Sequence, residues 1–485
     1  MPDEVELKLA LRPRDAVILA DSGLLGGEPR KVGQRSLYFD TADHSLLKAG
    51  LSLRIRRVGR KRIQTVKARG GSSAGLFARP EWESAVPGDT PVLDDTTPIQ
   101  TLLGERADEL APVFEVRVER RIWDIREGDT LIELVIDRGT VVAGDRRSSI
   151  CEIELELKSG DAAALFAFAR KLDAAVPLRL GVLTKAERGY ALLDPAVAAV
   201  KASGIDLPRD MTAAQALQQI VQACLRQFRL NEDLLLMGRA PEALHQSRVA
   251  LRRLRSALSV FKALIADDAS AGLREALRWL AATLGRARSI DVLVARAPAG
   301  ALRDRLETAR HDVYAQVVGI LASARARGVM LDLAQWTVRG AWLGTVDTAE
   351  LRDQRAGIFA RAALDRLRRK VKRGGRDLAD LDDQARHEFR KDAKKLRYAA
   401  EFFAAQFDRK RQRRQYKRFI AALEALQEAL GTLNDLMTAP AALNGLGIAN
   451  SPDTMAMLFP DSRKKLLETA GEAHAALVDA GRFWR

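Results

Sequence analysis

The chain has 485 residues, 79 Lys and Arg against 64 Asp and Glu, and a net charge of +15; one core rarely holds that length, so two or more domains are expected. Its two cysteines, Cys151 and Cys224, show no CxxC or Cys/His spacing, which excludes a disulfide framework and a thiolate metal site. No apolar run is long enough to span a bilayer and the start lacks a signal-peptide pattern, so a cytoplasmic protein with no membrane partner is expected.

The first element is EVELKLAL, residues 4–11. A period of two puts Val5, Leu7, Leu9 and Leu11 on one face and Glu4, Glu6 and Lys8 on the other. Taken alone, that is a solvated sheet surface. Alternating segments follow at 34–40, 51–57, 62–68, 80–86, 113–125 and 130–136, separated by turns rich in Gly, Pro and Asp. CEIELELK, at 151–158, repeats the first design: Glu152, Glu154, Glu156 and Lys158 face one way, Ile153, Leu155 and Leu157 the other. The clearest helix in this part is DAAALFAFARKLDAAV at 161–176. So many strands predict a mainly antiparallel barrel or sandwich.

Beyond residues 194–211 the sequence becomes rich in Ala, Leu and Arg with a 3.6-residue period to its end. Residues 1–200 carry 30 Lys and Arg against 31 Asp and Glu, so all the excess positive charge lies in this second part. Such a field attracts polyanions. Two helical segments answer each other, HQSRVALRRLRSALSVF from His245 and HEFRKDAKKLRYAAEFF from His387. Both have a basic residue at +3, +7, +8 and +10, Leu at +9 and Phe at +16, the mark of an internal duplication.

At 100° per residue His245, Arg248, Arg252 and Arg255 fall within an arc of about 80°, opposite Leu251, Leu254, Leu258 and Phe261. His387, Arg390, Lys394 and Arg397 repeat the stripe, and Arg253, Lys391 and Lys395 add to the basic set. The stripes lack the i,i+4 Glu partners of a solubilising face. They therefore read as a polyanion cradle, the histidines donating to phosphate oxygens. Each helix is followed by a Leu-Gly pair, in LGRARSIDVL from Leu284 and LGTLNDL from Leu430. The basic runs at 365–376 and 408–418 read as solvated helix ends.

The paired basic helices with their Leu-Gly partners resemble the CHAD domain over 211–485. That resemblance implies an all-α bundle of two pseudo-symmetric halves that binds inorganic polyphosphate. Ser289 stands where the family pattern has Asp, while Asp291 carries over, and an insertion is expected around 329–350. The first part resembles the CYTH domain, or triphosphate tunnel metalloenzyme fold, over 1–195. EVELK matches its ExExK signature, and YFDT (38–41), LRIR (53–56), VKAR (66–69), RPEWE (79–83), LVIDRG (134–139), EIELELK (152–158) and TKAERGY (184–190) follow. The resemblance implies a closed barrel of eight antiparallel strands with flanking helices, its interior a polar tunnel. Glu4, Glu6 and Lys8 would then face a lumen, and 196–210 would link an α+β multidomain chain.

In such a tunnel a triphosphate needs cations from several walls, and Lys8, Arg54, Arg56, Lys67, Arg120, Lys185 and Arg188 would supply them. A hard divalent ion, Mg2+ with Mn2+ as the alternative, takes oxygen ligands. Glu4, Glu6, Glu152 and Glu154 suit that role, with Glu81, Glu83, Glu133 and Asp137 as further candidates. Glu156 is one carboxylate more than direct ligation needs, and strand parity favours Arg120 over Arg117. The expected reaction is hydrolysis of tripolyphosphate to diphosphate and phosphate, by an aligned water and without a covalent nucleophile. Adenylate cyclase and thiamine triphosphatase, which use the same tunnel, stay open, as does a polyphosphate-binding protein with an inactive tunnel. Nucleic acid is disfavoured as a partner, because the stripes interleave few aromatics.

Overall fold

The computed structural model describes residues 5–68, 71–73, 76–78, 80–194, 197–445, 447 and 463–485. Glu4 falls outside them. The chain forms two compact units, Met1–Val197 with Ala324–Val338, and Ala198–Ser323 with Arg339–Arg485.

In the first unit eleven strands make one antiparallel sheet: β1 (Glu6–Ala10), β2 (Arg30–Asp40), β3 (Leu51–Val58), β4 (Lys61–Ala68), β5 (Gly71–Ser73), β6 (Leu76–Ala78), β7 (Glu81–Ala85), β8 (Ala111–Glu127), β9 (Thr130–Ala143), β10 (Arg146–Ser159) and β11 (Arg179–Leu180). The order is β5-β6-β1-β10-β9-β8-β2-β3-β4-β7, with β11 on β1. This corrects the expected closed barrel of eight strands. The outer edge of β1 is taken by β6 at Glu6 and Leu7 and by β11 at Leu9 and Ala10, so among the described residues β7 has no strand to close against.

The register sets the site. Lys8 lies opposite Glu154, Glu152 opposite Asp137, and Asp137 opposite Arg120. Opposed residues in antiparallel ladders point the same way, so one face gathers these charges. The other face buries Leu7, Leu9, Ile153 and Leu155.

Of the flanking helices α1 (Pro13–Asp21), α2 (Ser45–Lys48), α3 (Pro98–Leu103), α4 (Ala163–Ala175) and α5 (Lys185–Leu193), α4 packs on β10. Leu46 of α2 with Ile99 and Leu103 of α3 join Phe39, Leu53, Ile55 and Val66 in an apolar cluster. Helix α5 opens with a capping box, Thr184 Oγ1 accepting from the Glu187 N–H and Glu187 accepting from the Thr184 N–H. A Cβ at Gly189 would lie 2.1 Å from the Phe114 ring. Only glycine lets α5 seat this closely on β8.

The second unit contains α6 (Ala213–Met237), α7 (Pro241–Val260), α8 (Asp268–Arg296), α9 (Ala301–Leu321), most of the chain after α10 (Ala324–Arg339), and within it α11 (Ala349–Asp353), α12 (Ala356–Gly374), α13 (Asp383–Phe402), α14 (Lys410–Asn444) and α15 (Arg463–Asp479). Helix α10, which overlaps the expected insertion, belongs to the first unit. Its Arg327 Nε lies 2.6 Å from Asp173 Oδ1, and its Asp332 accepts from Arg170 at 2.7 Å.

The segment read as a linker is docked on the helical unit. Asn231 bonds both the N–H and the C=O of Val200 at 2.9 and 2.8 Å, and Gln406 donates to the carbonyls of Leu207 and Pro208. Phe261 and Phe403, the equivalent +16 residues, are fully buried with ring centroids 5.9 Å apart. No described helix is long and apolar enough to cross a membrane.

Candidate active site

A cavity of about 880 Å3 opens on the charged face of the sheet. Its lining brings together Glu6 and Lys8, Arg54 and Arg56, Lys67, Glu81 and Glu83, Arg120, Glu133, Glu154 and Glu156, and Lys185 at the head of α5. Beside it, carboxylate oxygens of Asp137, Glu152 and Glu154 lie within 4.8 Å of one another. Lys185 Nζ stands 2.7 Å from one oxygen of each. Arg120 forks onto Asp137 at 2.9 and 2.7 Å and reaches Glu154 at 2.8 Å. Lys8 pairs with Glu154 and lies 2.9 Å from Glu6 and 3.4 Å from Glu152.

Arg188 Nη2 is 3.7 Å from Glu152 Oε2, a buried oxygen that accepts no hydrogen bond from the described residues. Two buried carboxylates and a partly buried third, with an unsatisfied oxygen among them, suit a hard divalent cation, which takes oxygen ligands and completes its shell with water or phosphate. The other carboxylates reach the cavity but stand outside this group of three. Glu81 pairs with Lys67 at 2.6 Å and with Arg54 at 4.0 Å, Glu83 with Arg56 at 2.8 Å, and Glu133 with Lys158 at 3.4 Å. Arg117 is exposed and bonds Glu115.

Burial opposes the charges of Lys8 and Lys185, yet the surrounding carboxylates outweigh it and hold both pKa values above the ordinary lysine value. Against the same burial, Lys185 and Lys8 keep Glu152 and Glu154 below the ordinary carboxylate range. The buried Nε groups of Arg54 and Arg188 have no hydrogen-bond partner among the described residues. They are donors ready for an anion.

A second cavity, of about 920 Å3, lies in the helical unit. His245, Arg248, Arg252 and Arg255 of α7 face His387, Arg390, Lys391, Lys394 and Lys395 of α13 across it. Arg274, Arg278, Arg286, Arg288 and Arg296 of α8 and Lys370 of α12 also line it, against the carboxylates of Glu388, Asp392 and Asp435. A Cβ at Gly285 would meet Arg248 Nη1 at 2.8 Å, and the nearest atom to one at Gly431 is Arg390 Nη2 at 4.0 Å. The glycine of the first Leu-Gly pair thus makes room for Arg248, whereas a Cβ at Gly431 would make only ordinary contact with Arg390. His387 Nδ1 is 2.8 Å from Asn434 Oδ1.

Two residues of the basic set stand elsewhere. Arg253 is buried against Glu401 with its guanidinium 5.0 Å from the Phe402 ring centre; position +8 lies outside the arc of the stripe, although Lys395 at +8 of the second repeat still reaches the cavity. Arg397 is drawn to Glu401 at 3.4 Å and Glu424 at 3.6 Å. The second stripe therefore does carry acidic partners on its own helix: Glu401 for Arg397, Glu388 for Lys391 at 2.7 Å and Asp392 for Lys395 at 4.0 Å. Asp291 faces away too, accepting from Tyr314 at 2.9 Å and pairing with Arg310 at 2.8 Å.

Burial, then Arg288 and Arg252, push His245 down to about 4. Burial, then Arg252 and Arg390, push Lys394 down to about 6. Buried donors at Arg252 Nε, Arg390 Nε and Arg274 Nη2 have no partner among the described residues.

Comparison with known families matches residues 2–190 to the CYTH domain and residues 219–444 to the CHAD domain. The chain carries a CYTH domain followed by a CHAD domain. It is similar to an inorganic triphosphatase of Haemophilus influenzae, 32% identical over 203 residues, an alignment covering 40% of this chain and 55% of that protein. The chain thus spans about half the length of the curated relative it matches. Among solved structures, the CHAD domain of the plant Ricinus communis is 29% identical, covering 59% of this chain and 93% of that one with a TM-score of 0.45. A Hippeastrum protein described as an adenylyl cyclase with a dominant triphosphatase activity is 21% identical, covering 39% and 95% with a TM-score of 0.32.

Sequence reasoning missed parts of both sites. In the CYTH domain Tyr38 lines the cavity, its ring stacked on Phe114 at 4.6 Å, and Asp40 receives the Tyr190 hydroxyl at 2.7 Å and the N–H groups of Leu46 and Leu47. YFDT and TKAERGY are therefore tied together in space. In the CHAD domain the arginines of α8 went unread, although Arg274, Arg278, Gly285, Arg288 and Arg296 recur at helical spacing on one face.

Proposed function

We propose that this protein is a metal-dependent inorganic triphosphatase whose CYTH domain hydrolyses tripolyphosphate to diphosphate and phosphate, and whose CHAD domain holds inorganic polyphosphate. The observation that carries the reading is the cavity of Lys and Arg walls beside which the carboxylates of Asp137, Glu152 and Glu154 gather. A divalent ion, Mg2+ or Mn2+, would be held by Asp137, Glu152 and Glu154, and it supplies charge neutralisation and an activated water.

Arg54, Arg56 and Lys67 approach phosphate oxygens from the far wall. Arg54 does so with its unpartnered Nε, which an anion would satisfy. Lys8, Arg120, Lys185 and Arg188 orient the carboxylates and add positive charge where the leaving diphosphate builds negative charge. An inorganic chain is favoured over a nucleotide by the charge of the walls: among the described residues Lys, Arg and Glu dominate the lining, with Tyr38, stacked on Phe114, and Trp82 as its two aromatic side chains.

The CHAD half of the proposal rests on its buried guanidinium donors without a partner among the described residues and on Lys394, whose charge is suppressed by burial and then by its cationic neighbours. A substrate panel of tripolyphosphate, ATP, thiamine triphosphate and long polyphosphate with Mg2+ or Mn2+ tests the whole. Tripolyphosphate is expected to give the highest kcat/KM. Cyclic AMP from ATP would move the protein to the cyclase reading, and no turnover of any triphosphate would leave a binding protein.

A further inference from the structure

The ammonium of Lys185 occupies the centre of the three-carboxylate group. Its Nζ is 2.7 Å from Asp137 Oδ2, Glu152 Oε1 and Glu154 Oε1, and these are the side chains whose oxygens gather within 4.8 Å. Lys8 and Arg120 stand against the same carboxylates, but among the described residues only the Lys185 ammonium reaches all three at once, at the place a metal ion ligated by all three would take, and the two would repel at that range. We propose that Lys185 is a built-in counter-ion that competes with the divalent metal for this group, and that its displacement into the adjoining cavity delivers its charge to the bound phosphates. This rests on the metal-dependent reading above.

The surroundings permit the exchange. The backbone of Lys185 is fixed by the capping box of α5 and by the contact of Gly189 with Phe114, while its side chain lines the cavity and can swing into it. When it leaves, the carboxylates keep cations: Arg120 still bridges Asp137 and Glu154, and Lys8 still stands against Glu152 and Glu154. Glu152 is 1% exposed, yet its Oε2 accepts no hydrogen bond from the described residues. The ammonium leaves that oxygen unsatisfied, whereas a divalent ion could ligate it. The carboxylates that line the cavity already face Lys8, Arg56, Lys67 and Lys158, so a released ammonium gains most from a bound phosphate, and metal and triphosphate should bind with positive coupling.

The test is Mn2+ binding to the full-length protein without phosphate, followed by electron paramagnetic resonance. Lys185→Met should bind Mn2+ tighter by on the order of tenfold or more, and adding Glu152→Gln should abolish the gain. In the unmutated protein, acylation of Lys185 read by mass spectrometry should rise when Mn2+ is added, a readout that decides the matter even if Lys185→Met fails to fold. Equal or weaker Mn2+ binding by a folded Lys185→Met, or acylation indifferent to Mn2+, overturns the competition and leaves the metal reading standing. Absence of Mn2+ binding in both proteins overturns both.

Discussion

The two cavities of this chain are similar in volume, about 880 and 920 Å3, and opposite in electrostatics. In the CYTH domain Lys8, Lys185 and Arg120 each meet carboxylates, and Lys8 and Lys185 are held above the ordinary lysine pKa. In the CHAD domain the cations crowd one another, and Lys394 falls to about 6. Paired charges can exchange partners with a metal and a short anion, which is what phosphoryl transfer needs. Acidic partners serve Lys391 and Lys395 at the rim of the CHAD cavity, but the crowded cations Arg248, Arg252, Arg390 and Lys394 store repulsion that an incoming anion relieves, which is what holding a polyanion needs.

The largest expected effect comes from removing one carboxylate on the paired side. Glu152→Gln takes away a buried ligand oxygen and leaves Lys185 short of a counter-charge. Tripolyphosphate turnover should fall on the order of 100-fold or more, and unfolding free energy by about 3–5 kcal/mol, read by steady-state kinetics and denaturant titration. Asp435→Asn, the matching change in the CHAD cavity, should instead tighten polyphosphate binding severalfold. A loss of polyphosphate affinity in Asp435→Asn would break the comparison.

Charge reversal on the unpaired side comes next. Arg252→Glu with Lys394→Glu should weaken long-chain polyphosphate binding by more than about tenfold, while tripolyphosphate turnover stays within about twofold. Binding of the unmutated protein should fall steeply with salt, because phosphate contacts release counterions. A salt-insensitive affinity would argue against a cavity of unpaired cations.

The pH response should fall in different windows in the two cavities. Lys394, held below its unfolded value of 10.5 at about 6, binds fewer protons in the folded state through that window, so its contribution to stability worsens as pH falls from 10.5 toward 6. Polyphosphate binding at pH 7.5 should therefore take up a proton, measurable by calorimetry in buffers of different ionisation enthalpy. Lys394→Met should raise Tm while lowering polyphosphate affinity. For Glu152 and Glu154, both depressed, the stabilisation is present above the ordinary carboxylate pKa and lost in acid. The smallest effect is steric: Gly285→Ala pushes on the Arg248 guanidinium and should cost polyphosphate affinity about two- to fivefold, with Gly431→Ala costing less.

Strand parity made much of the CYTH site legible, because a period of two fixes which face Glu6, Lys8, Glu152 and Glu154 share whatever the sheet does at its edges. Edge pairing was not legible: nothing in EVELKLAL says that β6 and β11 share the rim of β1. Lys185 was found by motif, but its place at the head of a helix follows from Thr184 and Glu187, a capping box that the strand reading passed over. In the CHAD domain the phase at 100° per residue placed Arg248, Arg252, Arg390 and Lys394 in the cavity wall. Arg253 entered the set through its matched spacing in the two repeats, against that phase. Arg397 has the right phase and the wrong neighbour, Glu401 at i+4, where Arg255 has Ser259.

The most direct test compares the two cavities in one sample: tripolyphosphate hydrolysis and long-chain polyphosphate binding, each followed with Mn2+ and then with excess chelator. A metal-using paired cavity and a metal-free unpaired one predict that hydrolysis is abolished while polyphosphate binding persists. Hydrolysis that survives the chelator, or polyphosphate binding lost with the metal, would contradict the account.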